Sequence, residues 1–156
     1  MNMLKLTIGD KVYGMRKMPP TLGAFFAPKI AKLVAGMIGN DKFLAMLNDL
    51  KDSLPNVDKN DVKVEEQQMA PIAVAISSIL TQLDINEVNA IFKEALSYGV
   101  YCDNKDLSKE FDFDEVFGEN PGHYFPVAIW ATYNHVSDFF VGLPTGLQAL
   151  MTSWRQ

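Results

Sequence analysis

The chain is short of the residues that usually build a reactive centre. Among its 156 residues there is one cysteine, Cys102, and there are two histidines, His123 and His135. A single thiol cannot close an intramolecular disulfide, so a disulfide scaffold is excluded and a reducing compartment fits. With only two imidazoles beside that thiol, an all-protein zinc cage is implausible, and no metal is expected. Basic residues are outnumbered, 14 Lys and Arg against 19 Asp and Glu, and the net charge of −5 has the wrong sign for neutralising many phosphates. No nucleic-acid partner is expected. Long apolar runs are also missing. The longest stretch without a formal charge, 120–137, holds two Pro, two His, two Asn, Thr and Ser, which is too polar for bilayer hydrocarbon. The first thirteen residues alternate polar and apolar types and lack the continuous apolar centre of a signal peptide. The expectation is a soluble cytoplasmic protein without a membrane partner. Glycine-rich phosphate loops, a nucleophile elbow and metalloprotease helix motifs do not occur, so no cofactor and no enzyme activity are expected.

What the chain does contain is distributed unevenly. Residues 1–32 carry six basic residues against Asp10, residues 33–102 sum to −5, and the acidic stretch 103–119 sums to −5 again. The last 37 residues carry only Asp138 and Arg155 but hold seven of the 17 aromatics. That tail must be mostly buried, in its own core or against a partner.

The length and the 48% apolar content suit one domain over 1–156, mainly α, with a short N-terminal β-hairpin over 1–18 and a helical body over 21–156. Leu4, Leu6 and Ile8 alternate with Lys5 and Thr7, Gly9-Asp10 supplies a turn, and a second short run follows over 11–15. A two-residue turn places Ile8 opposite Lys11, Leu6 opposite Tyr13 and Leu4 opposite Met15, and the apolar face so formed needs a cover from elsewhere. Thr21 is placed to cap a helix whose stripe is Leu22, Phe25, Phe26, Ile30, Leu33, Val34, Met37 and Ile38, ended by Gly39-Asn40. Pro28 inside it predicts a kink or two short helices. Further helices are predicted over about 41–50, 71–83, 84–98, 122–141 and 145–154, the third started by Asp84 with Glu87 and closed by Gly99. Residues 51–63 and about 103–119 are predicted to be exposed loops, the second of them acidic.

The chemical candidates are each matched by an ordinary alternative. Asp103-Asn-Lys-Asp106 begins like a calcium loop, but Lys105 and Ser108 stand where a ligand and a glycine are needed. His135 with Asp138, three residues on, could pair an imidazole with a carboxylate, but without a third ligand or a placed nucleophile the residues read rather as a surface or satisfied boundary pair. Cys102 follows an apolar run and suits a small buried hydrophobe. The eight methionines are dispersed and suit core filling, although such side chains also line surfaces that accept varied helices.

Three stretches together resemble a known family. The hairpin Leu-Thr-Ile-Gly-Asp-Lys-Val-Tyr-Gly-Met-Arg-Lys-Met, the helix after it with Ala-Pro-Lys-Ile, and the late segment Trp-Ala-Thr-Tyr-Asn-His-Val-Ser-Asp-Phe-Phe resemble the tail assembly chaperones of long-tailed bacteriophages. The likeness is strongest at both ends and reduces to helical content between about 50 and 119. It implies a non-enzymatic protein that binds the long helical tape measure protein, keeps it soluble, helps recruit tail tube subunits and is absent from the finished tail. It also implies that a longer form can arise by frameshifting. Phe139, Phe140, Leu143 and Trp154 flank a predicted helix break in the charge-poor tail and are the candidate partner contacts, with ordinary core as the alternative. The basic start and acidic middle permit head-to-tail self-association, with Arg16 and Lys17 as the candidate residues and a homo-oligomer as the result. The rival readings are a virion structural component such as a tail completion or connector protein, an adaptor that binds one folded host protein, and a small enzyme using His135 and Asp138.

Overall fold

The computed structural model describes residues 3–35, 61–103, 105–106 and 110–137, together with Asp41 and Ala45; the side chains of 34, 105–106 and 110–112 are excepted. The predicted hairpin is present, with β1 over Leu4–Ile8 and β2 over Lys11–Met15. Its register is the expected one, with Leu4 opposite Met15, Leu6 opposite Tyr13 and Ile8 opposite Lys11. Gly9 takes φ +60 at the first central position of the two-residue turn, where a side chain is disfavoured.

The hairpin does not stand alone. It forms the middle of a mixed five-stranded sheet ordered β3-β1-β2-β4-β5, in which β3 is Asp61–Val64, β4 is Val100–Cys102 and β5 is Lys105–Asp106. The fold is therefore mainly helical around a small sheet, a correction to the picture of a helical body carrying a hairpin. β3 runs parallel to β1, and Val62 and Val64 are buried between exposed Asp61 and Lys63. This alternation makes a strand of the end of a segment expected to be a loop. Tyr13, Gly14 and Met15 pair with Cys102, Tyr101 and Val100 of β4.

Five helices are described: α1 over Pro20–Ala35, α2 over Met69–Leu80, α3 over Ile85–Leu96, α4 over Glu110–Phe117 and α5 over Tyr124–Val136, with 3-10 turns at Glu66–Gln68 and Pro121–His123. Asp84 caps α3 as expected, its side chain accepting from Asn86 N at 2.9 Å and Glu87 N at 3.3 Å. Thr21 is no cap. α1 starts one residue earlier at Pro20, a position that suits proline, and the Pro19 carbonyl accepts from Leu22 and Gly23. α1 also runs on through Pro28 rather than dividing into two helices. Pro28 and Ala24 both lie on the exposed side, where water can satisfy the Ala24 carbonyl that a proline leaves unpaired. The expected acidic loop contains β5 and α4, because Phe113 and Phe117 recur four apart and both are buried beneath the carboxylates. Of the predicted 41–50 helix, Asp41 and Ala45 are helical and exposed, while Gly39-Asn40 and the 145–154 helix lie outside the described residues.

α5 is the centre of the molecule. Val127, Ala128, Trp130 and Ala131 have no exposed surface, and Pro126, Tyr133, Asn134 and Val136 are also buried. α1, α2 and α3 pack against it. This accounts for the uncharged sequence of 120–137: a helix enclosed on nearly every face cannot carry an ion without desolvating it.

Candidate functional site

Each end of α5 is fixed by a buried histidine. At the C-terminal end, His135 is 2% exposed; its Nδ1 accepts from Met18 N at 3.0 Å, and its Nε2 donates to the Ala95 carbonyl at 3.0 Å. Burial lowers its pKa to about 4, against partial support from main-chain acceptors. The ring is therefore neutral near pH 7, with both nitrogens engaged by the main chain and edges of Phe26 and Tyr98 around it. No nitrogen remains for proton transfer. The carboxylate of the suggested dyad, Asp138, lies outside the described residues.

At the N-terminal end, His123 lies between the sheet and the turn that starts α2. Tyr13 Oη is 3.0 Å from His123 Nδ1, and His123 Nε2 is 3.3 Å from Glu66 Oε1. Burial, followed by the charges of Cys102, Asp103 and Glu66, pushes the Tyr13 phenol far above its ordinary value. The hydroxyl therefore keeps its proton and bonds to Nδ1, and since a carboxylate only accepts, the Nε2 proton faces Glu66. Tyr13 also stacks on Phe117 at 5.8 Å, so the same phenol covers the hairpin with α4. The geometry ties three elements together but offers no exposed nucleophile.

The other candidates are structural as well. Cys102 is buried in β4, and burial, then Asp103, raises its thiol pKa to about 11, which makes it a poor nucleophile at neutral pH. Asp103 takes φ +49 and pairs with Lys11 at 3.7 Å. Among the described residues, no group of three or more His, Cys, Asp or Glu is placed to hold a metal ion.

Several large apolar side chains are left outward among the charged ones. Leu22 and Phe25, expected in the core stripe of α1, are 45% and 77% exposed. The sequence stripe merges two neighbouring faces. At 100° per residue the buried face centres on Gly23, Phe26, Ala27 and Ile30, which turns Leu22 to its edge and Phe25 nearly opposite. Lys32 is exposed on the same helix, and Lys29 bridges to Glu94 of α3 at 2.8 Å. On α2, Ile72, Ala75, Ile76 and Ile79 face inward, whereas Ala70, Ala73, Val74 and Ser77 face outward, with Val74 67% exposed. Nothing between Gln67 and Leu83 is charged, so this outward face has no ionic character. Ile85, the first residue of α3, is 52% exposed. An uncharged helix with more apolar residues than one buried stripe needs was the available signal for Val74; periodicity alone could not separate Phe25 from Phe26.

Of the residues named from the sequence, Arg16 is exposed and Lys17 half-buried, both ahead of α1. Phe139, Phe140, Leu143 and Trp154 lie outside the described residues. In comparison with known proteins, the family model described as "Phage tail assembly chaperone protein, TAC" matches residues 9–148, from the hairpin turn to beyond α5. No curated protein and no solved structure matches the chain.

Proposed function

The chain belongs to the phage tail assembly chaperone family, and on that premise we propose that it binds the tape measure protein in the host cytoplasm while the tail is built, brings it to the tube subunits and stays out of the virion. The observation that carries a binding role is the outer face of α2, where Ala70, Ala73, Val74 and Ser77 repeat at three-and-four spacing and stand exposed without a charge. Small side chains let a second helix approach closely, and Val74 provides an apolar ridge for the stripe of an amphipathic partner. Such a surface holds helices of varied sequence because it makes no demand for a particular ion pair. Phe139, Phe140, Leu143 and Trp154 extend the partner contacts in this reading, and the net charge of −5 keeps the complex soluble. No chemical step is required; the action is occlusion of apolar surface until the proper neighbour replaces it. The same reading includes self-association through the basic segment that holds Arg16 and Lys17.

The test is affinity recovery of the tagged protein from phage-producing cells, with mass spectrometry of its partners and of purified virions. The wild type is expected to bring down a long helical tail protein and to be missing from particles. Val74→Asp is expected to lose that partner while keeping its circular dichroism spectrum. Abundant wild-type protein in virions, or undiminished recovery by Val74→Asp, overturns the reading.

A further inference from the structure

The outer face of α2 and the last part of the sequence share one property, the lack of charge. Around Val74, 67% exposed, the residues one turn away are Ala70, Pro71 and Ser77, all exposed, and half-buried Ser78. Ser78 Oγ donates to the Val74 carbonyl at 3.0 Å and Thr81 Oγ1 to the Ser78 carbonyl at 2.7 Å, so both hydroxyls turn back onto their own helix and leave the face more apolar than its composition. Two long stretches of sequence lie outside the described strands and helices. Residues 36–60 carry seven charges, among them Lys51, Asp52 and Asp58, and laying such a stretch on an uncharged face strips ions of water. Residues 139–154 carry none. There Leu147, Leu150, Met151 and Trp154 recur at the i, i+3, i+4, i+7 spacing of one helical stripe, with Gln148, Thr152 and Ser153 between them. The distance is also suitable. α5 ends at Val136 and packs on α2. A helix laid on the far side of α2 has its axis about two interaxial distances, or about 20 Å, from α5. Residues 138–144, extended at about 3.3 Å each, bridge that gap, and Gly142 and Pro144 among them oppose helix.

We infer that the chain's own segment 145–154 folds back over the outer face of α2, with Leu147, Leu150, Met151 and Trp154 toward Val74, and that a helical partner must displace it. The inference rests on the reading of α2 as the partner-binding face and adds how that face is regulated. A tethered segment acts at an effective concentration of about 1 mM, so a contact too weak to join separate molecules still closes the face. A partner helix that buries more apolar surface replaces it. The face then passes from one cover to the next without standing open to water and to other apolar surfaces.

Maleimide labelling of the full chain carrying Ala73→Cys tests it, since this thiol lies beside Val74 on the exposed side. Buried Cys102 is the internal control: a folded chain labels one thiol, an unfolded chain two. The new thiol is expected to react about tenfold more slowly than in denaturant, at a rate independent of protein concentration. In the pair Leu147→Asp with Leu150→Asp the protection should disappear, and recovery of the helical partner from phage-producing cells should rise severalfold. If that pair labels two thiols, the milder Met151→Ser takes its place. Full-speed labelling in the otherwise wild-type chain overturns the inference. So does protection that outlasts both changes, which belongs to another part of the chain, and protection lost on dilution, which belongs to a second copy. Recovery that does not rise from the opened chain shows that nothing had to be displaced, and overturns the regulation. The partner-binding reading fails separately, when Val74→Asp leaves recovery undiminished whatever the labelling rate.

Discussion

Acid should unfold this protein partly through one residue. His135 has a pKa of about 4 in the folded chain against an ordinary value of 6.5, because the ring is enclosed and its Nδ1 is held as an acceptor by Met18 N. A group whose folded pKa is depressed binds protons more readily when unfolded, so its stabilising contribution is whole above pH 6.5 and is lost as the pH falls toward and through 4. The shift corresponds to a loss of about 2 kcal/mol by pH 5 and about 3 kcal/mol by pH 4, at 1.36 kcal/mol per unit. Against typical domain stabilities of 5–15 kcal/mol this is enough to matter. Carboxylates titrate in the same range, so wild type must be compared with His135→Gln, which removes the titration and keeps a polar side chain. Urea unfolding of both at pH 7, 6, 5 and 4 gives the difference in stability. That difference, favouring the wild type at pH 7, should fall by about 3 kcal/mol at pH 4. A difference that stays constant across the series would refute the assignment of a buried, neutral imidazole.

Other perturbations test separate parts of the structure. Gly99 holds φ +63, and an added Cβ would meet the Arg16 carbonyl oxygen at 2.9 Å, so Gly99→Ala should lower stability in thermal melts by about 2 kcal/mol, from left-handed strain plus displacement of that contact. Asp84→Ala removes the α3 cap and should cost about 1 kcal/mol by denaturant titration, while Asp84→Asn should recover most of it. Cys102 should resist a maleimide at pH 7 in the folded chain and react promptly in denaturant; rapid labelling of native protein would contradict its burial.

The parts of the fold that were legible in the sequence are those fixed by neighbouring residues. Alternation in Leu4, Leu6 and Ile8 together with the Gly9 turn sets the hairpin register without outside help. Asp84 caps α3 through bonds to residues two and three positions on. β3 was not legible, since four residues become a strand only by meeting β1 more than fifty positions away. α4 was hidden by its own charge, which dominated the composition of 103–119 and concealed Phe113 and Phe117 beneath it. The site was less legible than the fold. The composition of the tail announced burial, and α5 is buried, but the partner residues named there fall outside the described chain. Phe25, the most exposed large apolar side chain described, belongs by its spacing to the apolar stripe of α1. Its exposure depends on which side of α1 meets α3 and α5, and that choice is tertiary.

The two histidines acquire a common meaning from this arrangement. A helix as enclosed as α5 has no Asp, Glu, Lys or Arg with which to fix its position, and apolar contact alone tolerates sliding and rotation. His135 binds it to the start of α1 and the end of α3, and His123 binds it to β2 and to the turn before α2. Directional bonds at both ends fix its register and rotation, and through it the spacing of the outward faces of α1, α2 and α4. A binding protein that presents apolar surface needs such a fixed framework. If the core were free to shift, Leu22, Phe25 and Val74 could be drawn inward and the surface available to partners would be lost. On the proposed reading, the two histidines serve recognition indirectly, by holding the unreactive residues outward.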